Sequence, residues 1–112
     1  MNVQVFGLRK DFATQKAERY FKERRIKYQF IDVARFGLSR GELQSIKNAV
    51  GLDNVADYEG EEYQVRGLRY FNNGIVTEEM LIENPRLLKL PIVRNGRQAT
   101  VGYRPEVWKT WV

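Results

Sequence analysis

The stretch "VQVFGLRKDFATQKAERYF" (residues 3–21) decides the fold. Val3, Val5 and Phe6 make a short apolar strand, Gly7 frees the turn, and the basic pair Arg9-Lys10 leads directly into a helix that opens at about Asp11. Ala13, Ala17, Tyr20 and Phe21 then recur at helical spacing through about Arg24. "IKYQFIDV" (26–33) supplies a second strand, rich in β-forming residues, from Tyr28, Phe30 and either Ile31 or Val33. Two strands joined by a crossover helix lie parallel, with a right-handed connection. Many α/β proteins place a nucleophile or an anion at such a strand-to-helix junction, because the first N–H groups of the helix are unpaired and its dipole favours negative charge. Here the place is held by a carboxylate.

Working outward, "LSRGELQSIKNAVG" (38–51) carries Ser39 and Glu42 as a capping box, Leu43, Ile46 and Val50 on one helical face, and Gly51 as the stop. The acidic and aromatic segment that follows, to about Tyr70, is too interrupted to assign, although "NVADYE" (54–59) has the makings of a short helix. "TEEMLIENP" (77–85) opens on Thr77 as N-cap and stops before Pro85. "LPIVRNGRQATVGY" (90–103) reads as a hairpin, with Ile92 and Val93 joined to Ala99 and Val101 through an Asn95-Gly96 turn of type I′. "RPEVWKTWV" (104–112) puts a proline in the first turn of a short amphipathic helix containing Trp108. The order is β-α-β, helices, β-hairpin and a last helix, which is the plan of a thioredoxin-like α/β domain with a small mixed sheet. At 112 residues the chain is expected to form one domain, residues 1–112.

Composition narrows the chemistry. There is no cysteine and no histidine, hence no disulfide, thiolate nucleophile, Cys/His zinc site or imidazole acid/base near neutral pH. Paired acids or a carboxylate-held divalent metal stay open on composition, but no spacing typical of such sites occurs. No metal or other cofactor is expected. The short apolar runs and the N-terminus "MNVQVFGLRK" predict a soluble, cytoplasmic protein with no membrane segment.

The net charge of +5 is unevenly placed: residues 1–30 hold eight Lys/Arg against three Asp/Glu, and the remainder is balanced. Arg19, Lys22, Arg24, Arg25 and Lys27 crowd the exit of the first helix, where cations complement its dipole. Asp53, Asp57, Glu59, Glu61 and Glu62 form a stretch without a base, followed by Arg66 and Arg69. Opposite patches follow, read either as solvated faces or as docking surfaces. Tyr20, Phe21, Tyr28 and Phe30 fall on core positions rather than on a base-stacking platform, so a nucleic-acid partner is not expected. Trp108 is expected to cover the sheet; the other reading is an exposed docking pair, Trp108 with Trp111.

The runs "VFGLRKDFATQKAERYFKERRIKYQFIDV", "GLSRGEL" and "NPRLLKLPIVRNGRQATVGYRPEVW" together resemble the arsenate reductase (ArsC) and Spx family of the thioredoxin fold. The resemblance covers essentially the whole chain. It implies that the position of the family's reactive cysteine is Asp11, and that the family arginine before the Pro-Ile of the later strand is replaced by Leu90. It also implies that Arg104, in the pair Arg104-Pro105, is a retained family arginine, and that Pro91 is the fold's cis-proline. Arg9 and Lys10 flank the ancestral pocket as candidate binding groups, and Arg24 and Arg25 mark a second candidate surface. Asp11 reads as an N-cap accepting from the N–H of Ala13 or Thr14. The chemical alternative, an acyl-phosphate nucleophile or general acid/base, has no accompanying partner or metal motif.

Two functions follow from the resemblance. The preferred one is a non-catalytic protein-binding or regulatory module whose partner, as for Spx-like members, belongs to the transcription machinery. The other is an arsenate reductase-type or glutathione-dependent oxidoreductase using chemistry not visible in the sequence.

Overall fold

The computed structural model describes residues 1–66 and 77–111. Four strands, β1 (Val3–Gly7), β2 (Tyr28–Asp32), β3 (Ile92–Asn95) and β4 (Gln98–Val101), form one mixed sheet in the order β2-β1-β3-β4. β1 pairs parallel with β2 and antiparallel with β3, so Phe6 stands opposite Ile31 on one side and Ile92 on the other. The first helix, α1 (Phe12–Glu23), makes the crossover. Helices α2 (Val33–Phe36), α3 (Arg40–Val50), α4 (Leu52–Val55), α5 (Glu61–Arg66) and α6 (Glu78–Glu83) follow, with a 3-10 turn at Pro85–Leu87. The chain closes with α7 (Pro105–Trp108) and a second 3-10 turn, Lys109–Trp111.

Alternation along the strands divides the core into two layers. Phe6 and Ile92 face Leu43 and Ile46 of α3, Leu81 of α6, and Leu87. Val3, Val5 and Val93 face Ala17, Tyr20 and Phe21 of α1 and Trp108 of α7. Burying Trp108 also buries its indole N–H, which donates to the Thr100 hydroxyl at 2.8 Å. Trp111 is buried as well, so the two tryptophans are not an exposed docking pair. Tyr20 and Phe21 are buried core residues, and Tyr28 and Phe30 pack against the same layer.

Local signals explain most boundaries. Ser39 accepts from the Glu42 N–H while the Glu42 carboxylate accepts from the Ser39 N–H, completing the capping box of α3. Gly51 ends that helix at φ +85°, where a side chain would be strained. Thr77 caps α6 through the N–H of Met80. Of the two alternatives at the end of β2, Ile31 lies in the strand and Val33 opens α2, capped by the Asp32 carboxylate on the Ala34 N–H.

Three expectations are corrected. The hairpin register pairs Asn95 with Gln98, so its central residues are Gly96 and Arg97. Only Gly96 has positive φ, +62°, the pattern of a type II′ rather than a type I′ turn. The helix expected within 54–59 forms instead at Leu52–Val55, because Ala56 is drawn into a β-bridge with Leu88. The acidic segment then makes α5, which sequence periodicity did not disclose. Residues 67–70 of that segment, Arg69 among them, lie outside the described residues.

Among the described residues no helix is long and apolar enough to cross a membrane.

Candidate functional site

Asp11 occupies the last position before α1 with extended backbone, φ −80° and ψ 125°. One carboxylate oxygen, Oδ2, accepts from the Thr14 N–H at 2.9 Å and from the Thr14 hydroxyl at 2.7 Å. The Asp11 N–H donates to the Leu8 carbonyl at 3.0 Å, and the Gln15 amide side chain donates to the Arg9 carbonyl at 2.8 Å, so the turn is held from both ends. Of the two N–H groups considered from sequence, Thr14 is the donor. Its hydroxyl was the unforeseen partner, and the Asp-x-x-Thr spacing is the signal that carries it. Replacing Asp11 by Ala is therefore expected to cost about 1 kcal/mol, whereas Asn or Ser recovers most of the loss. Chemical denaturation of the three variants measures this.

Asp11 and Leu90 line one groove of about 760 Å³, together with Asp57, Glu61, Glu62, Arg86 and Lys89. Backbone pairing builds its far wall. The Asp57 N–H donates to the Leu87 carbonyl at 2.8 Å and the Lys89 N–H to the Val55 carbonyl at 2.7 Å, which ties the acidic segment to the chain entering β3. Gly60 leaves room for the Asp57 carboxylate, since a Cβ there would come within 2.5 Å of Asp57 Oδ2. Glu61 and Glu62 sit in the first turn of α5, where the helix dipole favours anions. The Leu90-Pro91 peptide bond is cis, which places Pro91 in the buried turn at the start of β3.

Among the described residues four carboxylates stand against two cations in this groove, a balance that repels anions. Among the described residues no three Asp or Glu converge well enough to hold a metal ion. Sequence reasoning brought Asp11 and Leu90 together through the family resemblance but missed Arg86, Lys89 and the Asp57 wall, whose placement depends on the Ala56–Leu88 bridge.

The other singled-out cations lie elsewhere. Arg104 lines a separate cleft of about 350 Å³ beside β4, with Val50 and Asn54. Its Nε donates to the Val101 carbonyl at 3.2 Å and its Nη1 lies 3.9 Å from Glu106. Arg9 and Lys10 are exposed, and the Arg9 guanidinium lies 4.5 Å from the centre of the Phe30 ring, directed at β2. Arg24 stacks on Tyr20 at 3.8 Å.

One titration on the α1–β2 surface is shifted. Partial burial, then the hydrogen bond and negative charge of Glu18, push the Tyr28 phenol up to about 12 against slight opposition from Arg9. The phenol donates to the Glu18 carboxylate at 2.9 Å. Because the folded state holds this proton more tightly than the unfolded chain, the contribution is complete below about pH 10 and is lost as pH rises through about 12. Ultraviolet titration is expected to show a phenol ionising near 12, and Glu18→Gln should bring that midpoint down.

This arrangement defines a mixed α/β domain of the thioredoxin-like type with an aspartate where the helix opens. The model of the ArsC family matches residues 14–111, and the chain belongs to the ArsC family. It is 28% identical over 109 residues to the global transcriptional regulator Spx 2 of Oceanobacillus iheyensis, covering 95% of this chain and 80% of that one. The solved arsenate reductase from Vibrio cholerae has a TM-score of 0.81 at 20% identity, covering 100% of this chain and 98% of its own. The glutaredoxin-like protein NrdH-redoxin from Escherichia coli has a TM-score of 0.51 at 14% identity, covering 100% and 96%. These last two likenesses are of fold.

Proposed function

We propose that this chain is a non-redox member of the ArsC family that acts in the cytoplasm as a single protein-binding domain, with the transcription machinery as its partner. The observation that carries the reading is Asp11: the position assigned to the family cysteine holds a carboxylate already bonded to Thr14. An incoming arsenate or disulfide finds no thiol there, and the surrounding Asp57, Glu61 and Glu62 oppose any oxyanion. Leu90 adds no cation, and Arg104 lines a different cleft. The partner class rests on the likeness to a global transcriptional regulator, and the uneven charge supplies surfaces for docking.

The test pairs two measurements on the intact protein. Arsenate and disulfide reduction with glutathione and glutaredoxin should not exceed a buffer blank, while purified bacterial RNA polymerase should bind the immobilised protein. Turnover by material free of contaminating reductase overturns the non-redox half. A polymerase that fails to bind overturns the assignment of partner.

A further inference from the structure

The exit of α1 is built more carefully than a solvated end requires. The Ile26 N–H donates to the Phe21 carbonyl at 2.9 Å and the Arg25 N–H to the Lys22 carbonyl at 3.1 Å. Those two bonds make a Schellman motif, whose left-handed residue is most often glycine. Here it is Arg25, at φ +56°, the one positive φ outside glycine among the described residues. A β-carbon in that conformation is a standing cost that glycine would remove. Strain of this kind is kept where the side chain itself is needed.

The neighbours share the preparation. The Arg24 guanidinium lies over the Tyr20 ring, 3.8 Å from its centre, and its Nη1 donates to the Tyr20 carbonyl at 3.3 Å, so the guanidinium is held while its residue stays exposed. Arg19, Lys22 and Lys27 are exposed beside it. Among the described residues none of these five cations has an ion-pair partner. Of the acids on the same helix, Glu18 is engaged by the Tyr28 hydroxyl at 2.9 Å, and Glu23, exposed next to Arg24, makes no ion pair with any of the five among the described residues.

We infer that Arg24 and Arg25 form a two-guanidinium clamp for a carboxylate-rich protein segment; this rests on the protein-binding reading and assigns it a surface. A planar guanidinium matches a carboxylate through paired hydrogen bonds, and that of Arg24, already held over Tyr20, loses little freedom on binding, while the fixed backbone of Arg25 sets where its side chain starts. A single-stranded nucleic acid fits less well, because its bases require free aromatic faces. Tyr20 and Phe21 are buried, and the Phe30 ring is covered by Arg9.

The experiment uses a fluorescent peptide of alternating Glu, Asp and Leu, a single-stranded oligonucleotide of equal charge, and purified RNA polymerase. The unaltered protein should bind the peptide more tightly than the oligonucleotide, with affinity falling steeply as salt rises. Arg25→Gly should raise the melting temperature by roughly 2–5 °C while weakening peptide binding several-fold. Arg24→Glu with Arg25→Glu should weaken it at least about tenfold. Gain of stability with loss of binding separates a functional arginine from a structural one. Equal peptide affinity in Arg25→Gly and the parent, or preference for the oligonucleotide, overturns the clamp. Polymerase binding that survives the double reversal also overturns it while leaving the protein-binding reading intact.

Discussion

Alanine in place of Gly7 is expected to destabilise the protein by about 2–3 kcal/mol, a large part of the roughly 5–15 kcal/mol that holds a domain of this size together. The cause is contact rather than backbone freedom. A Cβ at Gly7 would stand 2.4 Å from Thr14 Oγ1, 2.5 Å from its Cγ2 and 3.0 Å from its Cβ. Thr14 is fully buried and its hydroxyl and N–H both hold Asp11, so it has no free rotamer into which to retreat. Relief therefore requires α1 to move off the sheet, carrying the Asp11 cap with it. Thr14→Ala removes the two nearest atoms, so the Gly7→Ala, Thr14→Ala double variant should lose at least about 1 kcal/mol less than the sum of the single losses. Urea denaturation of the four proteins measures the coupling. A Gly7→Ala variant within about 0.5 kcal/mol of the parent, or strict additivity, contradicts the contact as described.

Gly7 shows where the sequence was legible and where it was not. From sequence it is expected to free the turn after the strand, but it is the last residue of β1, paired with Asp32, and the reason for a glycine there, a threonine seven residues later filling the missing side chain, exists only once α1 lies on β1. Caps were legible because their donors and acceptors sit three residues apart, as with Ser39 and Glu42, or Thr77 and Met80. The parallel β1–β2 pair followed from the crossover helix. The hairpin turn was displaced by one residue, because Asn95-Gly96 suits a tight turn by itself while the observed register pairs Asn95 with Gln98. The site divides the same way. Asp11 and Leu90 could be brought together by family resemblance, whereas Asp57, Glu61 and Glu62 join them through long-range bonds from Asp57 to Leu87 and from Lys89 to Val55. No periodicity records such bonds.

Cysteine at position 11 should restore an activated thiol without restoring a reductase. The donors that now serve the carboxylate, the Thr14 N–H and hydroxyl, face the side chain at the opening of a 12-residue helix, and they favour a thiolate for the same reason that they favour Asp11. Asp57, Glu61 and Glu62 oppose this from across the groove. Their charges act through water, however, whereas the helix donors act at contact, so the local term prevails. The thiol pKa is expected to fall at least about one unit below the ordinary value near 8.5, raising the thiolate fraction at neutral pH about eightfold. Arsenate is another matter: it must enter the acidic groove as an anion, and Leu90 supplies no cation to hold it. Turnover by Asp11→Cys alone should be barely measurable. Adding Leu90→Arg places a guanidinium in the same groove and should both lower the thiol pKa further and raise turnover above the single variant. Thiolate absorbance followed against pH, with arsenate turnover of both proteins, reads the two effects separately. A thiol that titrates at or above 8.5 would show that the donors at Thr14 do not govern the site, and equal turnover in the two variants would show that Leu90 does not stand where the oxyanion is held.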